Sequence, residues 1–162
     1  MTPSRRHDYR LSSRPPAFFI EALEATLTRP PEIVTPGESG GGRYGKRRTL
    51  LWDLFGAGGS GFDFHLAVFS DAGAPEAAYP LVRSVFAQLV AMDDAARTIP
   101  SAEDENEYLF SVTVDADSGL VQLDYASSVV NTEWSVHFRI GADGSCTCLG
   151  IPDWRTPGQY IT

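Results

Sequence analysis

Histidine and carboxylate side chains occur together on predicted strands, where they could act in acid–base catalysis or bind a metal ion. They form two groups: Asp53, Asp63 and His65, and Asp124, Glu133 and His137. Antiparallel register could bring the members of each group together, but nothing in their spacing requires it. Since the chain has 3 histidines and lacks a His-Glu-x-x-His motif, we favour solvated residues on strand faces. A small enzyme that uses His65 or His137 with nearby carboxylates is the alternative.

Residues 40 to 46 match the first seven positions of the phosphate-binding motif G-x-x-x-x-G-K-[ST]. Arg47 stands where a Ser or Thr hydroxyl should bind magnesium, and a predicted strand follows, so the helix dipole that would face the phosphate is absent. We therefore interpret this stretch as a Gly- and Pro-rich linker whose basic end lies against an acidic body. A nucleic-acid-associated role would use its basic residues, which are Arg43, Lys46, Arg47 and Arg48.

Cys146 and Cys148 lie in a predicted strand, with their side chains on one face and their Cα atoms about 6.6 Å apart. The Cβ atoms of a disulfide must converge, so this arrangement favours two reduced thiols, as in a cytoplasmic protein. A zinc site would need two more ligands, and the sequence has no second cysteine pair. We expect no metal or other cofactor.

Charge divides the chain into two parts. Residues 1–48 carry nine basic and five acidic side chains, a balance of +4, whereas residues 49–162 carry four and sixteen, a balance of −12. An acidic surface repels phosphate backbones and attracts basic proteins. Nucleic acid is therefore an unfavourable partner for the acidic part, and a basic protein is a suitable one. The chain has no apolar run of membrane-spanning length, which argues against a membrane partner.

The predicted elements follow the order α-ββ-α-ββββ. Residues 1–48 form a basic N-terminal arm with a short helix and the Gly/Pro-rich linker, and residues 49–162 form an acidic α+β domain. Consecutive hairpins predict an antiparallel sheet of about six strands, with one long helix from about residue 75 to 92 on one face. The first hairpin exposes Leu51, Phe55 and Phe69 on the other face, so we expect the N-terminal helix to cover them, or a homodimer contact.

Acidic residues are concentrated in the loop at 103–107 and in the turn at 115–119. Such segments are usually solvated loops. Here, Asp124 and Glu133 are predicted to lie around the same edge of the sheet, which favours a binding surface. Asp93 and Asp94 add to them, because carboxylates near a helix C-terminus oppose its dipole. The predicted partner-binding residues are Glu103, Asp104, Glu105, Glu107, Asp115, Asp117, Asp124 and Glu133.

From Thr49 to Trp154, the layout resembles the small acidic immunity proteins that bacteria encode beside polymorphic and contact-delivered toxins. The resemblance lies in a hairpin, a long helix, an acidic loop and a meander, which carries the segments at 123–125, 131–134 and 150–154. It implies a non-catalytic inhibitor that masks the active site of a toxin and has no cofactor. Residues 1–48 lie outside the resemblance. We therefore expect a cytoplasmic, non-catalytic binding module for a basic protein partner.

Overall fold

The computed structural model describes residues 9–36, 47–54, 64–71, 73–99, 107–127, 133–153 and 155–161. In these ranges the chain forms three α-helices and eight strands. The helices are α1 (Pro16–Leu27), α2 (Tyr79–Ala87) and α3 (Leu89–Ala96). The strands are β1 (Glu32–Val34), β2 (Thr49–Leu54), β3 (Phe64–Phe69), β4 (Glu107–Asp115), β5 (Leu120–Ser127), β6 (Glu133–Ile140), β7 (Cys146–Pro152) and β8 (Tyr160–Ile161). None of these helices is long and apolar enough to cross a membrane.

All eight strands belong to one mixed sheet, in which the strands are ordered as they occur in the chain. Neighbouring strands are antiparallel except β3 and β4, which are parallel. The prediction of an antiparallel sheet of about six strands is therefore wrong. The apolar alternation that located the strands has the same period in both orientations, so it could not reveal the parallel pair. The connection that contains α2 and α3 provides the crossover that parallel strands need.

The prediction of one long helix is also wrong. This segment is divided into a 3-10 turn at Pro75–Ala78, helix α2 and helix α3. Gln88 separates α2 from α3 with φ −111° and ψ 3°, and its side-chain amide donates to the carbonyl of Gly144, 3.2 Å away. Pro80 lies in the first turn of α2, where a missing N–H is tolerated. The apolar stripe remains continuous across the break, since Val82, Phe86 and Met92 are all buried.

The three helices pack on the same face of the sheet. Phe19 and Leu23 of α1 are buried in one cluster with strand residues that include Leu50 and Trp52. These strand residues alternate with Leu51, which points to the opposite face, so α1 does not provide the cover that the sequence predicted for that face. Leu11 belongs to the same cluster, so the described part of the N-terminal arm shares the core of the acidic domain. We call the opposite side of the sheet the polar face.

A bulge in β4 changes which residues enter the core. The pairing register with β5 shifts between Leu109 and Ser111, and Leu109 is buried, whereas Tyr108 and Phe110 are half-buried. Strict alternation counted back from the buried Val112 would put Phe110 and Tyr108 on the core side. The extra residue at a bulge turns the side chains of the preceding strand segment to the opposite face of the sheet, so Leu109 takes the core position.

A buried ionic network fastens the N-terminal segment to the sheet. Asp93 in α3 is fully buried and accepts hydrogen bonds from the Leu11 N–H (3.0 Å), the Tyr125 hydroxyl (2.7 Å) and Arg97 Nε (3.0 Å). Arg97 also donates to the carbonyls of Tyr9 and Glu107. Burial, followed by the charge of Asp93, raises the pKa of Tyr125 well above its ordinary value. Asp93 therefore has a structural role and is absent from the surface that the sequence predicted for it.

Candidate functional site

Three carboxylates converge at the turn between β4 and β5. We call Asp71, Asp115 and Asp117 the acid cluster. Asp115 ends β4 and Asp117 lies in the turn, where the backbone N–H groups of Asp117 and Ser118 donate to Asp115 Oδ1 at 3.0 and 3.3 Å. Asp71 follows β3, and the parallel pairing of Phe69 with Asp115 brings it to this turn.

Arg47 binds all three members of the acid cluster. Its Nη1 donates to Asp115 Oδ2 at 2.6 Å, and its Nη2 donates to Asp117 and lies 3.5 Å from Asp71 Oδ2. The guanidinium also lies over the Phe69 ring, with its carbon 5.4 Å from the ring centroid. The predicted contact between the basic end of the linker and the acidic body is confirmed for Arg47. One positive charge among three carboxylates leaves a local charge of about −2.

The surroundings of Asp115 favour its ionised form. Burial raises the pKa of Asp115, but hydrogen bonds from Arg47, Asp117 and Ser118 outweigh that effect and hold the pKa below its ordinary value. The hydrogen bond to Asp115 in turn raises the pKa of Arg47. Side-chain exposure falls from 70% at Asp71 and 49% at Asp117 to 19% at Asp115. Asp71 and Asp117 are therefore the members that an incoming molecule would meet.

The other predicted partner-binding residues do not join this cluster. Glu107 begins β4 and Asp115 ends it, so about 26 Å separates them along the strand. Glu107 and Asp124 are buried, with 4% of each residue exposed, whereas Glu133 is exposed at the start of β6. Glu103, Asp104 and Glu105 lie outside the described residues. The predicted partner-binding residues that the structure describes therefore lie at both ends and in the middle of the sheet and do not form one surface.

A polar row crosses the middle of the polar face. Cross-strand pairing aligns one residue from each of β2 to β6, and these are Asp53, His65, Ser111, Asp124 and Ser135. Ser111 is buried, and its hydroxyl has no hydrogen-bond partner in the described part of the chain. Asp124 Oδ1 accepts from the Ser135 hydroxyl at 2.5 Å and from the Gln122 amide at 2.8 Å. The interior of the row is therefore a packed structural feature.

His137 is locked in a chain of hydrogen bonds beside this row. Its Nε2 lies 2.9 Å from Gln122 Oε1 and its Nδ1 lies 3.0 Å from the Tyr160 hydroxyl, and in a neutral ring Nε2 would donate to Gln122 and Nδ1 would accept from Tyr160. The Gln122 amide group donates onward to Asp124, which fixes the orientation of the amide. Both ring nitrogens of His137 are engaged, and Glu133, its predicted acid–base partner, lies four residues earlier in the same strand, about 13 Å away along it.

His65 is the more accessible histidine. Its Nδ1 lies 2.5 Å from Asp53 Oδ1, and the side chains are 66% and 70% exposed, respectively. The pair borders an open depression of about 500 Å³ at the β1 edge of the sheet, whose wall also includes Arg29 and Glu32. Arg29 donates to the Asp53 carbonyl at 2.9 Å. An aspartate that orients a histidine is the beginning of an acid–base site, and Asp63, the third member of this predicted group, lies outside the described residues.

The zinc site and the phosphate-binding loop considered from the sequence receive no support in the described ranges. No group of three or more His, Cys, Asp or Glu side chains lies there in an arrangement that could hold a metal ion. Residues 40 to 46 of the phosphate-loop match lie outside the described residues. Arg47 is bound to the acid cluster, and Arg48 donates to the Gly73 carbonyl at 3.3 Å. Both arginines therefore make contacts within the chain.

The sequence did not indicate Asp71 as a site residue. It predicted that Arg47 contacts the acidic body, but not which carboxylates it binds. Asp71 reaches Asp115 because β3 and β4 run parallel, which the apolar pattern did not indicate. The charge difference between the basic linker and the acidic body was the available signal for Arg47. Comparison with protein-family models, curated proteins and solved structures gives no match for this chain.

Proposed function

We propose that the chain is a non-catalytic binding module of the immunity type, which holds a basic toxin domain through the acid cluster. The observation that carries the proposal is the convergence of Asp71, Asp115 and Asp117 on a single guanidinium. The cluster already binds one arginine of the same chain. An arginine or lysine of a partner would therefore meet preorganised carboxylates of the kind that recognise guanidinium groups.

The position of Asp71 and Asp117 supports an intermolecular role. Each has about half or more of its side chain exposed, and the phenyl ring of Phe69 borders the same guanidinium. A residual negative charge beside an aromatic ring suits a cationic side chain. The overall charge of −8 would steer a basic partner towards the protein over a long range.

We also place the protein in the cytoplasm. Cys146 and Cys148 are free thiols, which fits a reducing compartment. An immunity protein of this kind acts where its toxin arrives, so this location belongs to the same proposal.

The test is the rate of association with the product of the adjacent gene, measured by stopped flow at several salt concentrations. The variant Asp71→Asn/Asp117→Asn removes two exposed charges and should slow association at least about tenfold at low salt. A matched control, Glu21→Gln/Asp94→Asn, removes two exposed charges elsewhere and should change the rate less than about twofold. Equal rates for the cluster variant and its control would refute a role for the acid cluster.

Arg47→Gln should change the association rate in the opposite direction, because it removes a positive charge from the same surface. It leaves three carboxylates without their internal cation, so association with a basic partner should become faster than in the wild type. An increase for Arg47→Gln, together with a decrease for the double aspartate variant, is expected only if this surface meets the partner. Failure of the wild type to bind or to protect against the adjacent gene product would remove the immunity-type proposal itself.

The contact between His65 and Asp53 favours a second candidate, a small enzyme that uses this pair at the edge of the depression. His65→Ala separates the two candidates. A binding module should retain protection after this change, because His65 and Asp53 lie outside the acid cluster. Loss of protection by His65→Ala with unchanged partner affinity would instead indicate catalysis.

A further inference from the structure

A second cleft lies between α3 and β7, remote from the acid cluster. It has a volume of about 300 Å³, and its walls include Ala91, Met92 and Ala95 of α3, Phe138 of β6, and Cys146 and Cys148 of β7. Two of the three helix residues are alanines, and their short side chains leave space in front of the cysteines. We call this space the cysteine cleft. Both cysteines of the Cys-Thr-Cys motif line this cleft, and neither takes part in the acid cluster.

The strand geometry places both thiols in this cleft. Cys146 pairs with Ile140 and Cys148 pairs with Phe138, and both partners are buried on the helix-covered face. Thr147 between them is exposed and points to the other face. Cys146 is half-buried and Cys148 is exposed, so the cleft is open to solvent at Cys148.

The distance between the cysteines suits an ion better than a disulfide. Positions two residues apart in a strand have Cα atoms about 6.6 Å apart, with side chains that stand parallel. A disulfide requires sulfur atoms about 2.05 Å apart and Cβ atoms within about 4.5 Å. An ion bound between two thiolates, with each bond about 2.3 Å long as for zinc, allows the sulfurs to remain about 4.6 Å apart in linear geometry or about 4.0 Å apart with a third ligand in trigonal geometry. Rotation of the two cysteine side chains about their χ1 angles can bring the sulfur atoms to the separation that the ion requires, without movement of the backbone.

Met92 adds a third soft donor to the walls of the cleft. Thiolate and thioether ligands select monovalent copper, whereas tetrahedral zinc would require two further nitrogen or sulfur ligands. No group of three or more His, Cys, Asp or Glu side chains in the described residues is arranged so that it could hold a metal ion, which disfavours zinc here. Two cysteines and one methionine form a donor set for a soft ion of low coordination number.

We propose that Cys146, Cys148 and Met92 form a site for one Cu(I) ion in the cysteine cleft. On binding, each of the two thiols exchanges its S–H bond for an S–Cu bond, and two protons pass to the solvent. The oxidation states of copper and sulfur do not change, so no oxidant or reductant is required. The Met92 thioether occupies the third position from the helix side.

The experiment is an anaerobic titration of the full chain with Cu(I) in competition with a chromogenic Cu(I) chelator. The wild type should bind one ion per chain. Cys146→Ser and Cys148→Ser should each weaken binding at least about 100-fold, because two-thiolate coordination is lost. Met92→Leu conserves volume and should weaken binding about three- to tenfold. Thr147→Ala, which changes the exposed residue between the cysteines, should bind as the wild type does.

Three results would overturn the proposal. The first is a wild-type affinity equal to that of Cys146→Ser/Cys148→Ser, and the second is a single serine variant that binds like the wild type. The third is binding that requires two chains, as measured by size-exclusion chromatography of the loaded protein. Thermal melts of the apo variants establish that each is folded. The alanine versions of both cysteine variants repeat the test with a different side chain, and alkylation protection of both thiols by bound Cu(I) provides a second readout.

Discussion

Asp93→Ala should destabilise the protein strongly, because it removes the acceptor at the centre of the buried network. Asp93 is 0% exposed, and Arg97, its ionic partner, has only 13% of its side chain exposed. The substitution leaves the Arg97 charge, the Leu11 N–H and the Tyr125 hydroxyl without this acceptor. The N-terminal segment would also lose its hydrogen bond to the Asp93 side chain of α3.

The expected cost follows from these contacts. Removal of one partner from a buried ion pair costs about 3–5 kcal/mol. The Arg97 guanidinium lies over the Tyr125 ring at 5.2 Å and retains its contacts with two backbone carbonyls, so we expect no more than this range. Tyr125→Phe removes one hydrogen bond to a charged group and should cost about 1.5–3 kcal/mol. For a chain of this length, the Asp93→Ala loss corresponds to a decrease in Tm of about 6–20 °C.

The assay is equilibrium urea unfolding followed by tryptophan fluorescence. Asp94→Ala is the matched control, because the neighbouring side chain is exposed and its change should remain within about 0.5 kcal/mol. A loss below about 1 kcal/mol for Asp93→Ala, with an unchanged m value, would refute the interpretation of Asp93 as the buried counter-charge of Arg97.

Three further predictions concern packing, backbone conformation and pH. Phe86→Ala removes a buried ring from the core and should cost about 3–5 kcal/mol in urea unfolding, whereas a cost below about 1 kcal/mol would contradict its place there. Gly119→Ala should cost more than Gly158→Ala by at least about 1 kcal/mol, because both positions have positive φ but only at Gly119 would a Cβ atom clash with a backbone oxygen, that of Ile140. Equal thermal shifts for the two glycine variants would contradict this steric reasoning. The lowered pKa of Asp115 means that its ionised form stabilises the fold above the unfolded pKa of about 3.9, and that this stabilisation is lost as pH falls through the folded pKa. The stability difference between wild type and Asp115→Asn should therefore shrink as pH falls from 7 to 3, and a difference that grows would have the wrong sign.

Much of the strand pattern could be predicted because one sheet face is apolar. Alternation in the first hairpin places Leu50, Trp52, Leu66 and Val68 on one face, and all four are buried, with Leu50 paired to Val68 and Trp52 paired to Leu66. Strand β1 was missed because its three residues follow two prolines in a stretch that resembles a linker. Its stability comes from pairing with β2, which local sequence does not show.

The candidate site was predicted only in part. A turn was predicted at 115–119, since Asp and Gly residues after an apolar strand favour one; Asp117 lies in the turn, whereas Asp115 is the last residue of β4. Their proximity to Asp71 depends on the parallel register of β3 and β4, and the burial of Glu107 and Asp124 depends on how the sheet is packed. Residue type alone had suggested exposed carboxylates at all these positions.

The sequence by itself determined the local properties of this protein: the apolar period of each element, the turn residues, the acidic excess and the positions of the two cysteines. These depend on interactions between residues that are close in the chain. The tertiary structure decided the strand orientation, the bulge, the break at Gln88 and the partners of Arg47 and Asp93. Such pairings join residues that are far apart in the chain, by 82 positions between Leu11 and Asp93 and by 88 between Tyr9 and Arg97. They are chosen by the packing of the whole sheet against its helices, because a distant contact forms only where the rest of the fold has already placed both groups.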